Sequence, residues 1–394
     1  MLRKIDVGED KNLFVLDPKT AGRPMASFLM DDLPRSAEAA LNEARDAAWP
    51  NWINSEPLII GHVDDEGKAY MFTISDVIKN KVVIFDVWDY TLLPCRRSLH
   101  YLLEWHTRYH AAGLLIIGIH SPRFDFGKDK KNILDACREY GITYPVVLDN
   151  NFDLWRSLEN RYWPRRILLD SQGKTQFDMA GEGSYVEFEK TIQVLLRQLS
   201  PGLACPPVMK TTRKIDQDDY AIPLTSSDIY VGMKKKPRLG NAQVFAAPAE
   251  EVKFKDDSGG VYAPELMYLN GPWTATNESI IAGTMKATEP QLTISFQATD
   301  VYIVARTKPK NPADIPQMVK VQILIDKKPI MDENVGSDAM INELRRSVVI
   351  IRDPKAHHIA TKLEHKPHEL TIKVENDTTA DTLELYAIFF EHMA

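Results

Sequence analysis

The chain has 394 residues, of which 44% are hydrophobic and 26% charged, and its formal net charge is −7. This composition is typical of a globular protein of two or three domains, and the acidic balance argues against a partner that is nucleic acid or an anionic membrane surface. No apolar run approaches the roughly 20 residues that span a bilayer, and three cysteines are too few for a disulfide-rich secreted scaffold.

Residues 1–49 are predicted to form an extension to the first domain. Ser36 is a candidate N-cap for a short alanine-rich helix over 37–48, which would begin after the break at Pro34. The first residues lack the apolar segment of a secretory signal peptide. On this ground the sequence predicts a cytoplasmic protein.

Residues 50–200 alternate between strand and helix patterns. Short apolar runs predict buried strands at 82–85, 114–119, 144–148 and 166–170. Amphipathic periodicity predicts helices at 95–112, 128–140 and 185–199. This alternation predicts a three-layer α/β domain with a parallel component in its sheet.

The sequence pattern changes near residue 200. Pro201, Pro206 and Pro207 indicate a linker, which we place at 201–219. Beyond it, helical periodicity gives way to short alternating runs at 292–297, 301–305, 319–326, 370–374 and 383–390. These runs predict an all-β sandwich over residues 220–394.

The segment from Phe85 to Arg97 carries the most chemical information. An acid, Asp86, lies within an apolar strand, Trp88 follows, and the pair Pro94-Cys95 opens a helix. Backbone N–H groups at a helix N-terminus stabilise a thiolate, which suits a cysteine at this place. The layout resembles a thioredoxin active site of the TlpA-like branch of redoxins, and within that branch the DipZ-type proteins.

The resemblance extends over about residues 50–394. It rests on Trp52–Leu58, His120–Asn150, Asn160–Pro164 and Gly181–Tyr185, and on segments 228–232, 269–273 and 323–329. It implies a thioredoxin-like α/β domain followed by a jelly-roll-like β-sandwich that resembles a carbohydrate-binding module. It also implies an extracytoplasmic location, a protein thiol or disulfide as partner, and carbohydrate as a candidate ligand of the sandwich.

One departure from the Trp-x-Tyr-Ser-Cys-x-x-Cys pattern of these proteins matters more than all the agreement. Leu92 occupies the place of the first, nucleophilic cysteine, whereas Asp86 and Pro164 match the family's buried acid and cis-proline. Dithiol exchange needs one thiolate to attack and a second thiol to resolve the mixed disulfide. We therefore expect ordinary reductase turnover to be lost. Any redox chemistry would run through Cys95 as a monothiol, with Asp86 as proton relay and Pro164 shaping the partner groove.

The sequence leaves two interpretations of this site open. Cys95 is either an inert buried remnant or a reactive thiol whose thiolate is favoured by Arg96 and Arg97. Trp88 and Trp163 flank the site, either as packing residues or as part of a substrate groove.

A second class of function is a non-enzymatic binding protein that docks glycan or protein. In the sandwich, Trp273, Tyr230 and Tyr268 are candidates for stacking against sugar rings, and core packing is the alternative for each.

The histidines give no metal prediction. His106 and His110 stand four residues apart on a predicted helix, a spacing that can hold zinc, but the nearby Glu104 and His100 are expected to point elsewhere around the helix. A second group is predicted to lie solvated in a loop: His357, His358, His365 and His368. No phosphate-binding loop or nucleophile elbow is present, and no cofactor is predicted.

Overall fold

The computed structural model describes residues 80–211, 213–217, 223–283, 289–309, 311, 314–375 and 381–392 in full, and strands at 2–6, 12–16, 28–31, 60–63 and 69–72 by their backbone. The chain divides into two compact units, Met1–Tyr220 and Ala221–Ala394. The helix expected at 37–48 and the segment Trp52–Leu58 lie outside the described residues. The domain boundaries inferred from sequence stay predictions.

The first unit contains ten strands and four α-helices within the described residues. Its strands are β1 (Leu2–Asp6), β2 (Asn12–Leu16), β3 (Phe28–Asp31), β4 (Ile60–Val63), β5 (Ala69–Phe72), β6 (Val82–Trp88), β7 (Leu114–His120), β8 (Val146–Leu148), β9 (Arg165–Leu169) and β10 (Thr175–Ala180). Its helices are α1 (Leu93–Tyr109), α2 (Lys130–Tyr140), α3 (Asp153–Ser157) and α4 (Tyr185–Leu199). Among the described residues, no helix is both long and apolar enough to cross a bilayer.

Eight of these strands form one mixed sheet in the order β1-β2-β3-β8-β7-β6-β9-β10, and β4 and β5 form a separate hairpin. Strands β3, β8, β7 and β6 run parallel to one another, whereas β9 and β10 are antiparallel additions at one side. The predicted α/β class with a parallel component is confirmed.

Strand β6 lies inside this sheet and is buried along its whole length. It pairs with β7 on one side and β9 on the other, so its backbone polar groups are taken up by neighbouring strands. A strand buried on both faces has no polar alternation, which is why the sequence shows a continuous apolar run there.

Helices α1 and α4 pack on each other through aromatic rings. Tyr101 stacks on Tyr185 at a centroid distance of 3.7 Å, and Trp105 stacks on Phe188 at 5.1 Å. These contacts fix α1 against α4. The sequence predicts both helices closely but does not predict β10, because this edge strand is mostly exposed and carries no apolar run.

The second unit contains thirteen strands within the described residues, and every ladder between them is antiparallel. They are β11 (Ile229–Tyr230), β12 (Glu251–Phe254), β13 (Met267–Ala275), β14 (Ile280–Ala282), β15 (Gln291–Gln297), β16 (Asp300–Lys308), β17 (Val319–Ile325), β18 (Lys328–Pro329), β19 (Ala339–Ile341), β20 (Ser347–Ile351), β21 (Lys355–Ala360), β22 (Pro367–Val374) and β23 (Thr382–Glu391). The main path through them is β19-β20-β17-β22-β15-β13-β14-β23-β16-β21. Aliphatic and aromatic side chains from these strands form one core, as expected for a β-sandwich.

Strand β13 joins the two halves of this sandwich. Its first part, up to Asn270, pairs with β15, and its second part, from Gly271, pairs with β12 and β14. Gly271 has φ +82°, a left-handed conformation that favours glycine, and Pro272 follows directly. The Gly-Pro pair is typical of a turn, which is why the strands predicted from sequence omit this central one.

The prediction of a solvated histidine loop is wrong for three of its four members. His357 and His358 lie on β21 and His368 lies on β22; His357 and His368 are buried. The sequence Lys-Ala-His-His-Ile-Ala has little apolar alternation, but pairing of β21 with β16 buries it.

Substitution of Gly271 by alanine is expected to destabilise the second unit. The left-handed backbone costs an L-residue about 1–2 kcal/mol, and a Cβ at this position would lie 3.2 Å from Pro290 Cα. Gly260→Ala is the matched control, because Gly260 has φ +83° and a Cβ added there would have nothing within 4 Å. Urea denaturation should show a larger loss for Gly271→Ala than for Gly260→Ala; equal losses would contradict the close contact.

Candidate functional site

Leu92 and Cys95 lie at the start of α1. Leu92 is the N-cap, with an extended backbone at φ −89°, and Pro94 lies in the first turn, where its missing N–H costs nothing. Leu92 is 8% exposed and Cys95 is 1% exposed. The place of the motif's first cysteine is therefore taken by the mostly buried aliphatic side chain of Leu92, and the Sγ atom of Cys95 lies beneath the surface.

The surroundings of Cys95 keep its thiol protonated. Burial raises the pKa of Cys95 well above its usual range, and the charges of Asp86, Asp89 and Glu182 raise it further. The Asp89 backbone N–H donates to Sγ at 3.5 Å and acts in the opposite direction. Burial is the largest of these effects, so the helix N-terminus does not yield a thiolate.

The sequence predicts that Arg96 and Arg97 favour a thiolate at Cys95. In the structure, both guanidinium groups contact other side chains. The Arg97 Nε donates to Glu182 Oε1 at 2.9 Å, and the Arg96 guanidinium lies over the Tyr140 ring at 5.4 Å. Glu182 is 85 residues from Arg97 in the chain, so this ion pair has no local sequence signal.

Asp86 lies at the middle of β6, opposite Gly118 of β7 and Arg166 of β9. It is 1% exposed, and among the described residues neither carboxylate oxygen has a hydrogen-bond donor. Burial raises the pKa of Asp86 to about 7, although the charge of Arg166 lowers it. A carboxyl group with a pKa near 7 can hold or release a proton at neutral pH.

Pro164 is buried at the start of β9, and the Trp163–Pro164 peptide bond is cis. Trp163 is half-buried: its Nε1 donates to the Ser121 carbonyl at 3.0 Å, and its ring lies 4.1 Å from that of Trp155. The Arg123 guanidinium lies 5.6 Å from the Trp163 ring. Trp163 is therefore a partly exposed residue next to the cis-proline.

Trp88, the other predicted flanking residue, is completely buried. Its ring meets His120 edge-on at 5.3 Å. This burial supports a packing role for Trp88. The partly exposed Trp163 is compatible with both a packing role and a place in a substrate groove.

A buried polar cluster next to Cys95 was missed by sequence reasoning. Asp89 accepts hydrogen bonds from the Thr91 backbone N–H at 2.6 Å and from the Arg123 backbone N–H at 2.7 Å, and His120 Nε2 lies 3.8 Å from its Oδ2. Tyr90 stacks on the His120 ring at 5.6 Å. Burial lowers the pKa of His120, so the ring is neutral. The position of Asp89 one residue after Trp88 was the available signal.

No metal centre is found among the residues that the structure describes. They contain no group of three or more His, Cys, Asp or Glu side chains that could hold a metal ion. His106 is buried, which lowers its pKa to about 4, and its ring lies 5.1 Å from that of His110.

The three aromatic candidates in the second unit differ in exposure. Trp273 is fully buried and its Nε1 donates to the Asn270 carbonyl at 3.0 Å. Tyr268 is 8% exposed, and its hydroxyl accepts from the Ala263 backbone N–H at 3.2 Å. Tyr230 is half-buried against Phe389. Burial supports core packing for Trp273 and Tyr268, and of these three candidates only Tyr230 retains substantial exposed surface for a ligand.

Asp86 is expected to give stability a specific pH dependence. An unfolded chain releases this proton near the ordinary pKa of 3.8, whereas the folded chain keeps it to about 7. Because the folded state binds more protons between these values, its stability falls as the pH rises from about 4 to 7. At about 1.4 kcal/mol for each pKa unit, the fall is on the order of 4 kcal/mol.

The measurement is urea denaturation of wild type and Asp86→Asn across this pH range. Asp86→Asn should gain stability relative to wild type as the pH rises, and the difference should level off above pH 7. Asp135→Asn, at an exposed ion-paired position on α2, is the control and should follow wild type. A difference between Asp86→Asn and wild type that does not change with pH would contradict the raised pKa.

Comparison with known proteins finds similarity to thioredoxin-like proteins. A family model described as "Thioredoxin like C-terminal domain" matches residues 226–390. DipZ of Mycobacterium tuberculosis is 30% identical over 233 residues, which cover 58% of this chain and 31% of DipZ. The thiol-disulfide oxidoreductase ResA of Geobacillus thermodenitrificans is 25% identical over 118 residues, covering 30% of this chain and 63% of ResA.

Among solved structures, a putative thiol:disulfide interchange protein DsbE from Chlorobium tepidum matches 35% of this chain and 93% of its own, with 18% identity and a TM-score of 0.29. The chain spans about a third of the length of DipZ. The resemblance drawn from the motifs is confirmed by the family model and by the relatives: the chain is similar to thioredoxin-like redoxin proteins, DipZ among them.

Proposed function

We propose that this chain is a thioredoxin-like protein that has lost dithiol–disulfide exchange, and that any thiol chemistry it retains is restricted to Cys95. The observation that carries the proposal is the pairing of a leucine N-cap with a cysteine that is 1% exposed. Exchange requires an accessible thiolate and a resolving thiol, and this helix start supplies neither.

The other cysteines support the same conclusion. Cys137 is buried on α2, which raises its pKa to about 12, and Cys205 is partly exposed beyond α4. All three cysteines are free thiols. A resolving partner for Cys95 would therefore have to come from another molecule, and a protein thiol or disulfide is the partner class that the ResA likeness favours.

The alternative is a binding protein in which the thioredoxin fold presents a docking surface. The specific observation in its favour is the half-buried Trp163 with Trp155 and Arg123 beside it, on a frame whose cysteine is covered. The occupant would be a protein segment at this surface, and glycan on the second unit is the weaker version because Trp273 is fully buried. The predicted cytoplasmic and extracytoplasmic locations both stay predictions, and neither alternative depends on them.

Alkylation of the native protein separates these alternatives. Iodoacetamide should modify Cys205 readily and Cys95 only after denaturation, because the thiolate is the reacting form and Cys95 is held as a buried thiol. Peptide mass spectrometry after timed quenching gives both rates from one sample, so Cys205 is the internal control. A Cys95 rate that matches or exceeds that of Cys205 at neutral pH would refute the covered-thiol interpretation and make the monothiol reaction the leading one.

Restoration of the missing cysteine tests the loss of exchange directly. Wild type should not accelerate dithiothreitol-driven reduction of insulin disulfides, whereas Leu92→Cys should, because it places a second thiol three residues before Cys95 at the first turn of α1. The controls are Leu92→Ser and the double variant Leu92→Cys/Cys95→Ser, which lack one thiol each. Robust turnover by wild type would overturn the proposal.

A further inference from the structure

In the second unit, a serine contacts a histidine, and the other side of that histidine ring contacts an aspartate. Ser337 Oγ lies 3.4 Å from His358 Nδ1, and His358 Nε2 lies 3.2 Å from Asp300 Oδ1. Ser337 is exposed, His358 is 15% exposed and Asp300 is 1% exposed. The order from surface to interior is therefore hydroxyl, imidazole, carboxylate.

The neighbouring groups fix the proton positions on the imidazole. Nε2 faces a carboxylate oxygen, which only accepts, so Nε2 carries the hydrogen. Nδ1 lies 3.4 Å from the Ser337 backbone N–H, which only donates, so Nδ1 carries the lone pair. The Ser337 hydroxyl lies at the same distance of 3.4 Å and shares this one lone pair with the backbone N–H, so this tautomer presents a base to both groups of Ser337.

Asp300 is held as a carboxylate by hydrogen bonds. Thr361 Oγ1 donates to Oδ1 at 2.6 Å and Thr299 Oγ1 donates to Oδ2 at 2.7 Å. Burial by itself would raise the pKa of Asp300, but the hydrogen bonds from His358, Thr361 and Thr299 bring it below its ordinary value. A buried charge in this position favours the imidazolium that forms when His358 takes a proton.

The histidine ring and the serine segment are both fixed in place. Tyr302 stacks on His358 at 4.3 Å with an interplanar angle of 13°. The Asp338 backbone N–H donates to the His358 carbonyl at 3.0 Å, and the His358 backbone N–H donates to Asp338 Oδ2 at 2.9 Å. Gly336 permits this approach, because a Cβ there would lie 2.3 Å from the His358 carbonyl oxygen.

We propose that Ser337, His358 and Asp300 form a nucleophilic site for acyl transfer from small, accessible carboxylic esters. An Oγ–H···Nδ1 separation of 3.4 Å is at the long end of a hydrogen bond, as is common for a nucleophile and base without substrate. In the serine-protease triad, Nδ1 faces the aspartate and Nε2 faces the serine, whereas here the two nitrogens exchange these roles. The chemistry is the same, since in either tautomer the nitrogen without the hydrogen acts as the base. All three residues belong to the second unit.

The reaction balances with water as the second substrate. Ser337 Oγ attacks the ester carbonyl carbon, and the hydroxyl proton passes to His358 Nδ1. The bond to the leaving alkoxide breaks, and the alkoxide takes that proton from Nδ1 and departs as an alcohol. Water then attacks the acyl-serine, gives one proton through Nδ1 to Oγ, and releases the carboxylic acid.

The test uses a fluorophosphonate probe on the full chain. Attack by Oγ forms a P–O bond and expels fluoride, so a reactive serine is marked permanently and located by peptide mass spectrometry. Ser227, an exposed serine of the same unit, is the internal control. Ser337 should be labelled about 100-fold faster than Ser227, the smaller end of the usual contribution of a general base. Equal labelling of the two serines would overturn the proposal, and this comparison requires only wild type.

Two variants test activation rather than accessibility. Ser337→Ala changes an exposed side chain and should abolish both labelling at this position and hydrolysis of p-nitrophenyl acetate, whereas Ser227→Ala should change neither. His358→Phe keeps a ring to stack on Tyr302 but removes both nitrogens, so Ser337 should lose about 100-fold in labelling rate. Circular dichroism checks that each variant is folded. Labelling of Ser337 that is unchanged in folded His358→Phe would refute a role for the histidine.

Discussion

The first unit depends on the burial of β6 between β7 and β9. Because both faces and both edges of this strand are covered, its one acidic side chain, Asp86, is held away from water and among the described residues receives no hydrogen bond. Strand β6 ends at Trp88, and a buried segment leads from it to the start of α1, where Leu92 and Cys95 stand. The electrostatics of the site follow from this desolvation: protons are retained on the thiol and on the carboxyl group.

Two buried aspartates show how strongly hydrogen bonds decide charge. Asp86 and Asp300 are each 1% exposed, yet the pKa of Asp86 is raised and that of Asp300 is lowered. Burial acts in the same direction on both. The difference is that Asp300 accepts from two threonine hydroxyls and an imidazole, whereas the described surroundings of Asp86 offer it the charge of Arg166 without a hydrogen bond. At Asp300 the hydrogen bonds together outweigh desolvation, whereas at Asp86 the charge of Arg166 does not.

In the proposed function, the helix start in the first unit keeps the frame of a redox site but lacks the attacking thiol. The chain has the buried acid Asp86, the first-turn proline Pro94 and Pro164. At the place of the attacking cysteine, however, stands the aliphatic Leu92, and Cys95 is buried. Under that proposal, likeness to a thiol-disulfide oxidoreductase such as ResA does not carry dithiol exchange with it. The second unit contains the proposed nucleophile Ser337, whose side chain is exposed.

Local sequence determined much of this protein. Continuous apolar runs and amphipathic periodicity predict β6, β7, α1 and α4, and the motif around Pro94-Cys95 indicates both the family and the missing cysteine. Tertiary structure alone decided the rest, because it depends on residues distant in the chain. Glu182 forms an ion pair with Arg97, which is 85 residues away in the chain. The pairing of β16 with β21 brings Asp300 into contact with His358, which is 58 residues away. Burial, which sets the protonation of Cys95, is likewise a property of packing that no local pattern contains.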